Sequence, residues 1–328
     1  MKLLADIIDP NEITGFSREE VDAFDAAPNT LADVFPNETT DSITVSWTID
    51  GKNEDVAAYR AFDAEAKIGG SRGGEKVTGE LAPLSIKRRF SEYDQLVRRG
   101  VNSPETVQVA ADRLATEVAK ATVNRLILAR GEALATGKLV IHDEEFKQSA
   151  DFGRRADFTA TAATLWDADG DPFADLDTWL TAYEAENGFL PDRIRISRRI
   201  AAVLMRSAKV RAYVGPSAPT MITLADINAR MASQGFPALE VFNARISGKA
   251  VLPESSVIFD AGTAGATVWG PTLEAADPAY GIAYSDQPGI VVGAYATEDP
   301  KTTWIRSNAV VLPILGNANA TFAAKVVA

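Results

Sequence analysis

The sequence has no cysteine, and His142 is its one histidine. The lack of thiols excludes disulfides, thiolate nucleophiles, iron–sulfur clusters and cysteine-bound zinc. His142 stands beside Asp143 and Glu144, but no second imidazole exists to complete a transition-metal site. We therefore expect His142 to lie at the surface or at a strand end, and we predict neither a metal nor a cofactor.

Long apolar runs are also missing. No window approaches the roughly 20 apolar residues of a membrane span, and the first run is broken by Asp6 and Asp9, which is unlike a signal peptide. These features predict a protein without a membrane partner that is made in the cytoplasm. Cations are scarce as well, with 33 Lys and Arg against 45 Asp and Glu, a net charge of −12. Such a charge argues against gripping DNA by its phosphates, but it permits a wall that encloses DNA.

No catalytic signature is present. The sequence contains no Gly-x-Ser-x-Gly, no His-Glu-x-x-His and no dinucleotide fingerprint. The glycines around Gly69–Gly74 are not followed by the Lys-Ser/Thr of a phosphate loop. The run Asp167–Asp171 resembles a calcium loop, but its glycine comes two places early. We predict that the protein is not an enzyme, with no catalytic, cofactor-binding or metal-binding residues. A hydrolase with paired carboxylates remains a remote alternative.

The charges that are present are divided between two regions. Residues 1–41 carry ten acids against Lys2 and Arg18, whereas residues 67–89 carry six cations against Glu75 and Glu80. Opposite charge on two extended segments is typical of contacts between copies. We predict these inter-subunit contact residues: Glu19, Glu20 and Asp22 in the acidic region, and Lys67, Arg72, Lys76, Lys87, Arg88 and Arg89 in the basic region.

A long helix over residues 103–136 organises the chain. Ser103 is a suitable N-cap, Pro104 fits the first helical position, and Gly137 supplies a left-handed stop. A helix of this length, roughly 50 Å, exceeds a compact core. We therefore expect a spine with one face on its own sheet and the rest open to neighbours.

The remaining patterns give the order of parts. Ser17 and Glu20 have capping-box spacing, and a clean alternation begins at Ile43. Residues 43–90 read as a two-stranded ribbon with a glycine-rich, basic tip. Capped helices and short strands from 164 to 289 predict an α+β domain that folds alone, and the strands of 290–328 are expected to return to the sheet beside the spine.

This order resembles the major capsid protein of tailed bacteriophages, in the lambda-type capsid protein E family. The resemblance is carried by Ser71-Arg72-Gly73-Gly74 before Pro83 and the Lys87–Arg89 cluster, by the spine, and by the closing run from Asp299-Pro300 through Ala309–Pro313. It implies an α+β tailed-phage capsid fold. Its parts would be an N-terminal arm (1–42), an extended β-loop (43–90), a peripheral domain (91–163 and 290–328, with the spine helix 103–136) and an inserted axial domain (164–289).

The resemblance also implies a structural role. Members form pentamers and hexamers of an icosahedral shell around double-stranded DNA, so the expected location is the virion capsid, assembled in the cytoplasm of the bacterial host. The implied partners are copies of the chain, a scaffold, a portal, a maturation protease and, in some members, a decoration protein. Some members form a Lys–Asn isopeptide bond, which we do not predict here. A nanocompartment shell protein of the same fold is the alternative that the sequence leaves open.

Overall fold

The computed structural model describes residues 9–50, 74–90, 93, 104–143, 146–215, 221–276, 288–299 and 302–328. Its helices are α1 (Pro10–Asp25), α2 (Pro104–Thr136), α3 (Pro172–Asn187), α4 (Arg198–Arg206), α5 (Ala208–Val214) and α6 (Leu224–Ala232). Its strands are β1 (Asn37–Thr39), β2 (Thr44–Asp50), β3 (Gly74–Glu80), β4 (Ala82–Phe90), β5 (Lys138–His142), β6 (Lys147–Asp151), β7 (Thr159–Thr161), β8 (Arg193–Ile196), β9 (Leu239–Val241), β10 (Arg245–Ile246), β11 (Lys249–Ala250), β12 (Ser256–Asp260), β13 (Gly265–Gly270), β14 (Val291–Thr297), β15 (Thr302–Leu315) and β16 (Thr321–Lys325).

The spine helix α2 has 33 residues, a length of about 50 Å. It ends at Gly137, whose φ of +70° is the left-handed conformation expected of a C-terminal glycine. Arg154 covers this end by donating to the carbonyls of Leu134 (2.9 Å) and Ala135 (2.7 Å). A guanidinium there complements the negative end of the helix dipole.

Burial of α2 extends around more of its surface than a single stripe predicts. From Ala110 to Ala135 the helix packs against β15 on one side and against α1 on another. A Cβ at Gly131 would lie 2.2 Å from the Val251 carbonyl oxygen, so the close approach of that segment requires glycine. The C-terminal half of the spine is therefore enclosed by its own chain.

The first sheet is built on the 14-residue strand β15. Antiparallel β4 pairs along one edge of β15, and β14 and then β13 pair along the other. Strand β1 adds to β13 in parallel. The inward residues of these strands join α1 and α2 in one hydrophobic cluster, which includes Val268, Val292 and Leu312.

The second sheet has the order β7-β16-β12-β8-β9. In β12, Val257 and Phe259 face a second cluster under helices α3 to α6, whereas Ile258 between them faces the first cluster. Because strand side chains alternate between faces, this sheet is a wall shared by both clusters.

Two strands lie elsewhere than the sequence predicts. Strand β13, predicted within the axial segment 164–289, pairs with β15 in the first sheet. Strand β16, predicted to return beside the spine, lies between β7 and β12 in the second sheet. Both are short apolar strands whose partners are distant in sequence, so their pattern gives no information on which sheet they join.

The ribbon also differs in part from its prediction. Strands β2 and β3 pair from Thr44–Glu80 to Asp50–Gly74, as a two-stranded ribbon requires, and residues 51–73 lie outside the described residues. Strand β4, however, belongs to the first sheet. The ribbon base is held by its own chain, because Trp47 is buried and its ring lies 5.5 Å from that of Phe152.

Candidate inter-subunit surfaces

Helix α1 has a buried face and an acidic face. Asp9 caps the helix, and Ile13, Thr14, Ser17 and Val21 are buried against α2 and β14. The predicted capping role of Ser17 is wrong, because Ser17 lies within the helix and donates to the Ile13 carbonyl. The carboxylates lie on the other side, with Glu12, Glu19 and Asp22 exposed and Glu20 half-buried.

The predicted acidic contact residues therefore share one solvent-facing helix surface. Within the described part of the chain, the side chains of Glu19, Glu20 and Asp22 form no ion pair or hydrogen bond. Helix α1 is nevertheless not a detached arm. The Thr14 hydroxyl donates to the Val292 carbonyl (2.9 Å) and accepts from the Val292 N–H (3.2 Å). These bonds satisfy both backbone groups of Val292 in β14.

The predicted basic contact residues are not brought together at one tip. Lys76 lies exposed on β3, whereas Lys87, Arg88 and Arg89 lie exposed on β4. Arg88 Nε is 3.9 Å from Glu117 of the spine, and Lys87 Nζ lies 4.8 Å from the centre of the Trp304 ring. Lys67 and Arg72 lie outside the described residues. Lys87 and Arg88 thus have contacts in their own chain, although all three β4 cations are exposed.

A buried cluster around Arg130 joins the N-terminal segment to the spine. The Arg130 side chain is fully buried and forms a two-pronged ion pair with Asp25. Arg130 also donates to Thr267 Oγ1 (2.8 Å) and to Asn37 Oδ1 (3.2 Å). Asn37 in turn donates to Asp25 (2.9 Å), so one cluster connects α1, β1, the spine and β13.

A charged group around Arg195 joins the same N-terminal segment to the second sheet. Arg195 donates to Asp260 (2.6 Å) and to Asp33 (2.7 Å), and Arg193 also pairs with Asp33. Burial raises the pKa of Asp260 despite these arginines. Burial acts in the same direction on Asp33, but the hydrogen bond and charge of Arg195, with the charge of Arg193, outweigh it and lower the pKa of that carboxyl.

The sequence predicts neither the charged group around Arg130 nor the one around Arg195. Between these two groups along the chain, Leu31, Val34 and Phe35 are buried in the first hydrophobic cluster, so residues 25–37 form a brace between the two sheets. The local backbone is unusual, because Asn29 and Leu31 have φ of 68° and 60°. Asparagine is enriched in this left-handed conformation but leucine is not, so the residue type does not predict it at position 31.

Within the residues that the structure describes, no group of His, Asp and Glu could hold a metal ion. In the acidic loop, Asp171 caps α3, Asp167 lies 3.7 Å from Arg199, and Lys209 lies beside Asp169. His142 is the exposed last residue of β5, at a strand end as predicted. Among the helices that the structure describes, none has the length and hydropathy needed to cross a bilayer.

Comparisons with known proteins place this architecture. The family model described as phage major capsid protein E matches residues 21–326. A phage-related protein from Bordetella bronchiseptica RB50 is 15% identical with a TM-score of 0.60, and the match covers 96% of each chain. A prophage protein of E. coli CFT073, described as a capsid protein, is 13% identical with a TM-score of 0.63, covering 97% of this chain and 99% of the other.

A virus-like particle protein from Pyrococcus furiosus is 12% identical with a TM-score of 0.50, covering 96% and 98% of the two chains. No curated protein matches the sequence. At these identities the solved structures show the fold, which is the tailed-phage capsid fold predicted from the sequence. The family follows from the model match over nearly the whole chain: this protein belongs to the phage major capsid protein E family.

Proposed function

We propose that this capsid protein assembles into pentamers and hexamers of an icosahedral shell that encloses double-stranded DNA in a virion. The observation that carries the proposal is the family match over residues 21–326, because it covers both sheets, the spine and the brace. The described residues also contain no metal-binding cluster that would suggest chemistry instead. A structural role in a shell is therefore the function that these observations support best.

The two sequence-predicted sets are proposed contacts between copies. The acids Glu19, Glu20 and Asp22 on α1 and the cations Lys76, Lys87, Arg88 and Arg89 on β3 and β4 are all at least partly exposed. Exposed ion pairs contribute only about 0–1 kcal/mol each, but a shell repeats each pair in every copy. Small changes per subunit therefore change assembly steeply. Lys67 and Arg72 keep the same proposed role from sequence alone.

The implied assembly partners complete the proposal. A scaffold, a portal and a maturation protease would act with the chain in the cytoplasm of the bacterial host, with a decoration protein added in some relatives. The net charge of −12 supports enclosure of DNA without a tight grip on it.

A nuclease-protection experiment separates this function from a protein-filled compartment of the same fold. Particles made in the presence of the phage packaging components would be sedimented, treated with DNase and then opened. The proposal expects protected, genome-length double-stranded DNA. Particles that contain protein cargo and no protected DNA would contradict it and favour a nanocompartment.

A further inference from the structure

Helices α3 to α6, the helical layer over the second sheet, lie in a part of the sequence where acidic and basic residues are separated into two successive stretches. Residues 156–192 contain nine acids and no Lys or Arg, whereas residues 193–225 contain seven cations and no Asp or Glu. The acids are Asp157, Asp167, Asp169, Asp171, Asp175, Asp177, Glu184, Glu186 and Asp192, and the cations are Arg193, Arg195, Arg198, Arg199, Arg206, Lys209 and Arg211. In a chain of net charge −12, an acid-free stretch of this length stands out.

Helix stability accounts for Arg206 and Arg211, which lie in the last turns of α4 and α5 where a cation complements the helix dipole, but not for the cations at the start of α4. Helices α1, α3 and α6 each have an acid in the first turn, where it complements the helix dipole. Helices α4 and α5 have none there, and Arg198 and Arg199 occupy the first two positions of α4. A cation at the positive end of a helix is unfavourable. Residues that break a local rule without a gain in the fold are expected at functional surfaces.

Only some of these charges are paired within the chain. Arg193 and Arg195 are used in the buried cluster, Arg199 lies near Asp167, and Lys209 lies beside Asp169. Arg198 and Arg211 are exposed, and their guanidinium groups have no ion pair or hydrogen bond to the residues that the structure describes.

The same is true of two acids on α3. Asp177 and Glu184 are exposed, lie seven positions apart and so share one face of the helix, and their carboxylates form no ion pair with described residues. Among the described residues, the layer thus carries two exposed carboxylates without ion pairs on α3 (Asp177 and Glu184) and two exposed guanidinium groups without partners on α4 and α5 (Arg198 and Arg211). We call these pairs the acidic face and the basic face.

We propose that the basic face of one copy contacts the acidic face of the next copy around each ring. This inference rests on the proposed function and names one of its contacts. Two different, complementary faces on one chain form a head-to-tail interface, which closes into a ring when the rotation permits. A second copy is favoured over nucleic acid as the occupant, because the acidic chain as a whole repels phosphates while the neighbouring α3 supplies matched carboxylates.

Two charge reversals test the contact. Arg198→Glu with Arg211→Glu makes both faces acidic, and Asp177→Lys with Glu184→Lys makes both faces basic. Each double variant is expected to melt like the wild type but to need about tenfold or more protein to assemble, because like charges now meet. The matched control for the Arg198 and Arg211 variant is Lys147→Glu with Lys249→Glu, which makes the net charge more negative by the same amount at exposed sites outside both faces and should assemble normally.

Mixing the two double variants is the decisive arm. Acidic and basic copies can alternate around a ring of six but not around a ring of five. An equimolar mixture should therefore recover six-copy rings, seen as tubes or flat arrays by electron microscopy. The four substitutions combined in one chain should recover closed shells. Recovery should weaken at 1 M salt, where the screening length is about 3 Å.

Several results would overturn the inference. Normal assembly of either double variant, or no recovery on mixing, would show that the faces are not partners. Normal shells of the Arg198 and Arg211 variant that retain less DNA would assign the basic face to nucleic acid. Wild-type protein that never forms rings would contradict the proposed function itself, a result distinct from wild-type shells with unaffected variants.

Discussion

At the scale of residues, the fold depends on arginines that the chain buries with their partners. Arg130 is fully buried, and Asp25, Asn37 and Thr267 supply its hydrogen bonds. A buried ion pair gains little over an apolar pair of the same size, but removing one partner leaves an uncompensated charge in the interior. The main contribution of the Arg130–Asp25 pair is therefore to fix the position at which α1 packs against the spine.

A pair of substitutions measures this. Arg130→Leu is expected to lower the free energy of unfolding by about 3–5 kcal/mol, because Asp25 remains buried and unpaired. Adding Asp25→Leu should regain about half of that loss or more. Denaturant unfolding followed by tryptophan fluorescence reports both values. A double variant less stable than the single one would show that the charge is not the cause.

Two glycines at helix ends give a second residue-scale prediction. Gly137 and Gly188 have nearly the same φ, +70° and +76°, but a Cβ at Gly137 would lie 2.8 Å from Arg154, whereas a Cβ at Gly188 would meet nothing within 4 Å. Gly188→Ala should cost about 1 kcal/mol from backbone strain alone. Gly137→Ala should cost clearly more in the same unfolding assay. Equal losses would mean that Arg154 moves aside freely.

At the scale of elements, the spine and the brace show what a sequence can predict. The spine is predictable because its signals are local: Pro104 at one end, Gly137 at the other and good helix formers between them. The brace is not, since residues 25–37 are held by Arg130 and Arg195, which are distant in sequence. The family resemblance implied an N-terminal arm over residues 1–42, whereas Asp25 and Asp33 tie this segment to Arg130 and Arg195 of the same chain.

The contact of the brace with the second sheet predicts a pH dependence. The pKa of Asp33 is lowered from 3.8, so its ion pairs stabilise the fold fully above that pH and are lost as the pH falls through the lower folded value. At pH 7, Asp33→Asn should lower stability by about 1 kcal/mol, a small value because the carboxylate is partly exposed.

The difference between wild type and Asp33→Asn should shrink toward zero when thermal unfolding is measured at pH values below 3.8. The control is Asp177→Asn, at an exposed carboxylate with no ion pair to a described residue. Its stability should match that of the wild type at pH 7 and at the acidic pH. A difference that stays constant across this range would assign the effect to something other than the charge of Asp33.

At the scale of the whole molecule, the two sheets are less separable than the sequence predicts. Strand β16 near the end of the chain pairs with β12 and β7, and Phe322 packs in the second cluster beside Phe259. A fragment of residues 160–292 lacks this strand. Contrary to the sequence-based expectation that 164–289 folds alone, we predict that the fragment does not melt cooperatively and binds a hydrophobic dye.

The matched test restores the missing strand. A fragment of residues 154–262 joined through a short glycine linker to residues 316–328 contains every strand of the second sheet, and it should melt in one transition.

The candidate surfaces could also be predicted from the sequence only where their signals are local. Exposed acids on α1 could be anticipated from composition, whereas the contacts of β4 with Glu117 and Trp304 depend on its place in the first sheet.

Electron microscopy of the purified chain tests the central claim most directly. A shell protein is expected to form closed particles, with rings of five and six copies visible in averaged images, and each ring position should hold one chain of this fold. Dispersed single subunits at every protein and salt concentration, without rings, tubes or shells, would contradict the account.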